Sequence, residues 1–265
     1  MKQELDGKTV LITGASSGIG KAFAYLLADT TAHLILVARN EANMNAMKVD
    51  IEQASARVTV FPADLRNEEK RTELLAFLHQ LSDGLDVVVS NAGLSINRPI
   101  AKSLNRYHDF TRTMALNYFA PIQLLLSLIP MLAKKNGQII NVSTINALLF
   151  PVPYWAAYQA SKTAFDTWLR SAEPELRLQN ISTTSLYLPL VRTPMIEPTI
   201  AHQTYPAMSP VHVAESIGHA LYTKRNVYKP WWLFLGEWAS VVFRSPLSLI
   251  VFRLVKKKER DRDDG

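Results

Sequence analysis

The 265-residue sequence contains no cysteine. This excludes disulfides, thiolate nucleophiles, Cys-ligated zinc and iron–sulfur clusters, and leaves the redox compartment open. Histidine is sparse: the six residues, at 33, 79, 108, 202, 212 and 219, form no close pair with metal-ligand spacing, so no metal is expected. Glycine is scarce too, yet three of the ten fall at positions 14, 18 and 20. Long uncharged apolar runs are missing. The most apolar stretch, near the C-terminus, is interrupted by Glu237, Arg244 and Arg253, so it falls short of the roughly 20 residues of a spanning helix. Met1–Lys8 is polar and lacks the apolar core of a signal peptide, which makes a cytoplasmic location the expectation. No repeat or low-complexity stretch occurs, and no linker divides the first 225 residues.

Hydrophobic residues make up 48% of the chain and charged ones 20%, a globular composition. Short β-branched or aliphatic runs at Thr9–Thr13, His33–Ala38, Val58–Phe61, Leu85–Val89, Gln138–Val142 and Ile181–Leu188 read as strands. Helical-length segments lie between them, at about 19–29, 41–55, 67–81, 104–134 and 155–178. This alternation predicts an α/β fold: a single Rossmann-type domain whose doubly wound parallel sheet carries helices on both faces. Residues 1–228 are assigned to that domain, with a substrate loop at about 190–212, and 229–265 to an apolar and basic C-terminal segment.

The glycines at 14, 18 and 20 belong to Thr13-Gly14-Ala15-Ser16-Ser17-Gly18-Ile19-Gly20, which directly follows the first strand and opens the first helix. Gly14 lets the chain turn off the strand, Gly18 lets backbone approach a pyrophosphate, and Gly20 allows close helix–strand packing. The helix N-terminus then offers free N–H groups to phosphates. The second strand ends at Arg39, where a dinucleotide site selective for NAD would place a carboxylate. A guanidinium suits a 2′-phosphate instead, which points to NADP(H).

Tyr158 and Lys162 lie four apart in a helical segment and share one face. Of nine tyrosines only Tyr158 has a lysine at that spacing. A nearby ammonium lowers a phenol's pKa, the tuning that proton transfer near neutral pH requires.

In order and spacing these motifs resemble the short-chain dehydrogenase/reductase family over about residues 8–225. The resemblance extends to Ser90-Asn91-Ala92-Gly93, similar to an element supporting the sheet beside the cofactor. It implies that Asp64 contacts the adenine ring and that Asn117 helps relay protons through water to Lys162. It also implies that Pro189, Val191 and Thr193 bind the nicotinamide amide, with Leu190 standing where the family usually has glycine. The family's catalytic serine precedes the tyrosine by thirteen residues, but that position here is Ile145. The neighbouring hydroxyls are Thr144 and Ser143. A one-residue insertion within 146–153 would align Thr144, and Ser143 is the alternative.

The stretch Tyr187–Thr199, continuing to Tyr205–Pro210, is similar to the bacterial branch of this family that includes long-chain fatty acyl-CoA reductases. Its Met, Ile, Tyr and Pro content suits a hydrophobic small-molecule substrate, and equally suits ordinary core packing. Residues 244–265 carry seven basic and four acidic side chains, +3 of the net +6. This tail has no nucleic-acid-reading motif, so nucleic acid is not an expected partner. Three of the five tryptophans fall in 231–238, beside an apolar helical face opposite Glu237, Ser240, Arg244 and Ser248. Such a segment fits either peripheral contact with the inner face of a membrane or a helix pair packed on the body or across a homo-oligomer. Pro246 is expected to kink it. Beside an active reductase stand two other classes: a non-catalytic nucleotide sensor on the same fold and a membrane-associated interaction protein. The Tyr158–Lys162 pair argues against the first, and the tail alone supports the second.

Overall fold

The computed structural model describes residues 5–196 and 206–263. Seven parallel strands form one sheet in the order β3-β2-β1-β4-β5-β6-β7. They are β1 (Thr9–Thr13), β2 (His33–Ala38), β3 (Arg57–Pro62), β4 (Val87–Ser90), β5 (Gln138–Thr144), β6 (Ser182–Leu188) and β7 (Val227–Tyr228). The first two match the bounds read from the sequence, and β7 is an added edge strand. The chain winds outward from β1 to β3, then crosses back to place β4 beside β1, in register Val10↔Val87 and Ile12↔Val89. That reversal opens a crevice at the carboxyl ends of β1 and β4, where open α/β sheets bind ligands.

The strand period of two sorts side chains onto two cores. Val10, Ile12, Leu34 and Leu36 face one layer, built by helices α1 (Gly18–Leu26), α2 (Glu41–Ile51) and α7 (Pro210–Thr223). Leu11, Ile35 and Val37 face the other, built by α3 (Glu68–His79), α5 (Ala120–Lys134) and α6 (Ala156–Leu178). Each buried aliphatic side chain contributes about 1.5–3 kcal/mol before conformational entropy is counted. Helix α4 (Tyr107–Met114) runs into α5 through a π-turn at Ala115–Phe119. The composite Tyr107–Lys134 is long and apolar enough to cross a bilayer, but Leu124, Leu125, Leu128 and Leu132 spend its apolar face on the sheet.

Helix starts differ in a way that matters for the crevice. Asn40, Asn67 and Ser209 cap α2, α3 and α7, accepting from the amides of Asn43, Lys70 and His212 at 3.0, 3.1 and 3.1 Å. Ser17 at the start of α1 makes no side-chain cap bond, and the first turn holds no acidic residue. The amides there remain open to an anion.

Two boundaries differ from expectation. The supposed substrate loop 190–212 ends at Ser209, because Pro210 at the first helical position starts α7. Its central part, 197–205, lies outside the described residues. The C-terminal segment forms α8 (Leu233–Val242) and α9 (Arg244–Asp263), which meet at 97°. The break falls at Phe243, not at Pro246. Pro246 sits in the first turn of α9, where its missing N–H costs nothing.

Candidate active site

One cavity of about 1460 Å³ opens at the crevice and extends to α8 and α9. It is lined by Gly14, Ser16, Ser17, Gly18, Ile19, Arg39, Asp64, Asn91, Ala92 and Gly93 at one end. Ser143, Thr144, Tyr158, Lys162, Pro189, Val191 and Thr193 line its middle. Gly20 and Asn117 stand behind the wall. A Cβ at Gly20 would lie 2.4 Å from the Gly14 carbonyl oxygen, so only glycine lets α1 approach the turn this closely. Gly18 has φ +53°, and a Cβ there would meet the Thr193 methyl at 2.9 Å. That glycine thus seats the 189–193 segment against the glycine turn. Val191 bridges Met208, and the Arg192 amide donates to the Met208 carbonyl at 2.9 Å, anchoring the same segment from outside.

Asn91 ties the crevice together. Its side-chain amide donates to the Thr13 and Gly14 carbonyls at 2.9 and 3.2 Å, while the amides of Asn91 and Ala92 both donate to Thr13 Oγ1 at 3.0 Å. Asn117 is buried in the π-turn. Its Oδ1 accepts from the Leu94 amide at 2.8 Å, and its Nδ2 donates to the Leu94 carbonyl and Ser161 Oγ, both at 2.9 Å. The side chain thereby pins the loop after β4 to helix α6. Asp64 is gripped by Arg66, whose Nε lies 3.0 and 3.1 Å from the two carboxylate oxygens. This pairing, with Arg39 nearby, holds the Asp64 carboxyl below the usual carboxylate range. Arg39 is exposed at the cavity edge.

Strand β5 runs two residues beyond its expected end and carries Ser143 and Thr144 to the cavity. The Thr144 hydroxyl acts on Tyr158 in the sense that favours the phenolate. Burial acts more strongly in the opposite sense, so Tyr158 sits above the ordinary phenol value. The lysine expected to lower it donates instead to the Val142 carbonyl at 3.0 Å. Burial pulls Lys162 from 10.5 down to about 8, opposed by the Asp166 charge. That drop corresponds to about 3 kcal/mol against the charged form. Ser143 Oγ is buried and finds no hydrogen-bond partner among the described residues. Its desolvation is uncompensated unless a ligand supplies a partner.

Several neighbours were not singled out in the sequence. Asp166 is fully buried one turn beyond Lys162, its Oδ2 lying 3.0 Å from Arg170 Nε. Burial raises the Asp166 carboxyl despite Tyr187 and Arg170. The four-residue series Tyr158, Lys162, Asp166, Arg170 was the available signal. Gln159 clamps the loop before α6, accepting from the Val152 amide at 2.9 Å and donating to the Asn146 carbonyl at 2.7 Å. Trp155 packs edge-on to the Tyr158 ring, centroids 5.9 Å apart. The far wall of the cavity comes from the tail: Gly236, Ala239 and Ser240 of α8, and Leu247, Val251, Leu254 and Val255 of α9.

Comparison with known proteins identifies the family. The family model described as short chain dehydrogenase matches residues 8–204. The chain belongs to the short-chain dehydrogenase family. As a member it is an oxidoreductase. A fatty acyl-CoA reductase of Acinetobacter baylyi is 42% identical over 221 residues, covering 83% of this chain and 75% of that protein. A fatty acyl-CoA reductase of Mycobacterium tuberculosis is 40% identical, covering 80% and 72%. Among solved structures, a Sphingobium yanoikuyae short-chain dehydrogenase in complex with NADPH superposes with a TM-score of 0.78 at 22% identity, covering 92% of this chain and 94% of that one. A Caenorhabditis elegans family member with cofactor gives 0.74 at 25% identity, covering 85% and 94%.

Proposed function

We propose that this dehydrogenase uses NADP(H) to reduce a hydrophobic, long-chain acyl-derived carbonyl. The observation that carries the reading is a single cavity. It joins an uncapped, glycine-turned helix start to the Thr144–Tyr158–Lys162 cluster and then to an apolar wall. The names of the two relatives above support the substrate class.

The residues present fit a dinucleotide. Open α1 amides beside Ser16, Ser17 and Ile19 suit the pyrophosphate. Arg39, with no acidic residue in its place, suits a 2′-phosphate. The Ser143 hydroxyl, buried with no partner among the described residues, lies where the nicotinamide end would lie, near Pro189, Val191 and Thr193. Bound there, the cofactor supplies the hydride.

The chain's own residues handle the proton. Tyr158, kept protonated by burial, donates to the oxygen that becomes an alkoxide. Thr144 orients the carbonyl by a hydrogen bond that strengthens as charge develops. Lys162 presents an ammonium to the ribose hydroxyls and to the electrostatics of the phenol. Asn117 keeps the loop after β4 aligned with α6, which fixes Lys162 relative to Gly93, 3.7 Å from its Nζ at the Cβ position.

The test is NADPH and NADH oxidation with aldehydes and acyl-CoAs of graded chain length. The reading expects NADPH to be favoured and kcat/KM to rise with chain length. No turnover on any acyl substrate, or a preference for short polar carbonyls, would overturn it.

A further inference from the structure

In the C-terminal helix pair, α8 exposes its apolar side chains and α9 exposes apolar side chains interspersed with cations. Two polar side chains of the pair bond the body, where Ser240 Oγ accepts from the Phe150 amide at 2.9 Å and Glu259 accepts from Tyr154 Oη at 2.7 Å, and Glu237 is paired with Lys229 within the C-terminal segment. Large apolar side chains of the segment turn outward. Trp231 is 83% exposed, Phe234 64%, Trp238 57%, Val241 78%, Ile250 51% and Phe252 64%. A helix packed on a water-soluble body buries its apolar face, and contiguous exposed apolar surface on this scale marks an interaction site.

We propose that this face seats the protein on an anionic lipid surface, and that the substrate cavity opens into that surface. Charge decides between lipid and a second copy of the chain. Arg244, Arg253, Lys256 and Lys257 are all exposed along α9, beside the apolar face. A two-fold contact through this patch would set those cations against their own copies, whereas an anionic headgroup layer complements them. The exposed Trp231 and Trp238 suit a headgroup boundary.

The cavity and the outer face are continuous. Leu254 lines the cavity and is 61% exposed, and the cavity-lining Val152 and Met195 are also exposed. The rim carries these apolar side chains together with the Lys258 ammonium, and lies beside the lipid-facing side chains. An acyl chain would pass from the bilayer to the Thr144–Tyr158 cluster along Leu254, Val251 and Leu247 without crossing water. This last step rests on the substrate reading above; the docking itself does not.

The test is flotation of the full-length protein with phosphatidylcholine vesicles, with and without phosphatidylglycerol. The wild type should float with the anionic vesicles and much less with the neutral ones. Lys256→Glu with Lys257→Glu should cut the floating fraction at least about tenfold, as should Trp238→Ser with Phe252→Ser, both at unchanged melting temperature. On short soluble substrates both variants should keep wild-type turnover, and on vesicle-borne long-chain substrates they should lose it. Full-length protein that ignores anionic vesicles would overturn the proposal. So would a Trp238→Ser/Phe252→Ser variant whose only change is from dimer to monomer, since the face would then bind a second copy. Flotation without activity on any acyl substrate would leave the docking standing and remove the substrate reading.

Discussion

At the scale of single residues, the hydroxyl beside Tyr158 is where sequence spacing and geometry complement each other. Counting back from the tyrosine left Ser143 and Thr144 open, because no count shows which side of a strand a loop insertion tightens. Both line the cavity; Thr144 acts on Tyr158 in the sense that favours the phenolate, and Ser143 Oγ is buried with no partner among the described residues. Thr144→Ala is therefore expected to lower kcat about 10- to 100-fold with little change in NADPH affinity, because it removes a bond that strengthens in the transition state. Ser143→Ala should chiefly weaken NADPH binding. Steady-state kinetics with NADPH titrations separates the two, and the reverse pattern would exchange their roles. Lys162 carries a second prediction. Its ammonium, depressed to about 8 by burial in the unliganded protein, is charged below that pH and neutral above it. Tyr158 stays protonated through the same range, because burial raises it. Since kcat/KM for NADPH reports the free enzyme, it should hold up to about pH 8 and then fall roughly tenfold per pH unit. A plateau continuing to pH 10 would show that the lysine charge is not needed for cofactor capture.

At the scale of elements, β1 and β2 were legible to the residue because aliphatic runs bounded by Gly and Arg admit few alternatives. Helix α7 was not, since the reading carried a loop to about 212 and only the Ser209 cap with Pro210 marks a start. The π-turn that holds Asn117 has no sequence signature of its own. The tail was legible as an apolar face but not in its direction: periodicity shows that a face exists, and only packing shows which way it points. It turns Gly236, Ala239, Leu247, Val251 and Val255 to the cavity. Val251, on the cavity side of α9, should therefore set the usable chain length. Val251→Trp is expected to shift the optimum toward shorter acyl chains, lowering kcat/KM for the longest substrates at least tenfold and sparing the shortest. Chain-length profiles of the two proteins check this. A uniform loss at all lengths would mean that the wall does not contact the acyl chain.

At the scale of the whole molecule, fold and chemistry were readable because both follow from order. A glycine turn after the first strand, an Asn-Ala-Gly after the fourth and a Tyr–Lys pair on the sixth helix can converge only at the crevice where strand order reverses. The distribution of apolar surface was less readable, because the cavity is closed by a segment about 90 residues distant in sequence from the loop it packs on, as the Phe150–Ser240 bond shows. The account's central claim is that Tyr158 supplies the proton in an NADPH-linked reduction at the centre of this cavity. The most direct measurement is NADPH oxidation on a long-chain substrate by the wild type and Tyr158→Phe side by side, with NADPH affinity followed by fluorescence. The account predicts a loss of at least ~10²-fold in turnover with cofactor affinity essentially unchanged; turnover within a few-fold of the wild type would contradict it.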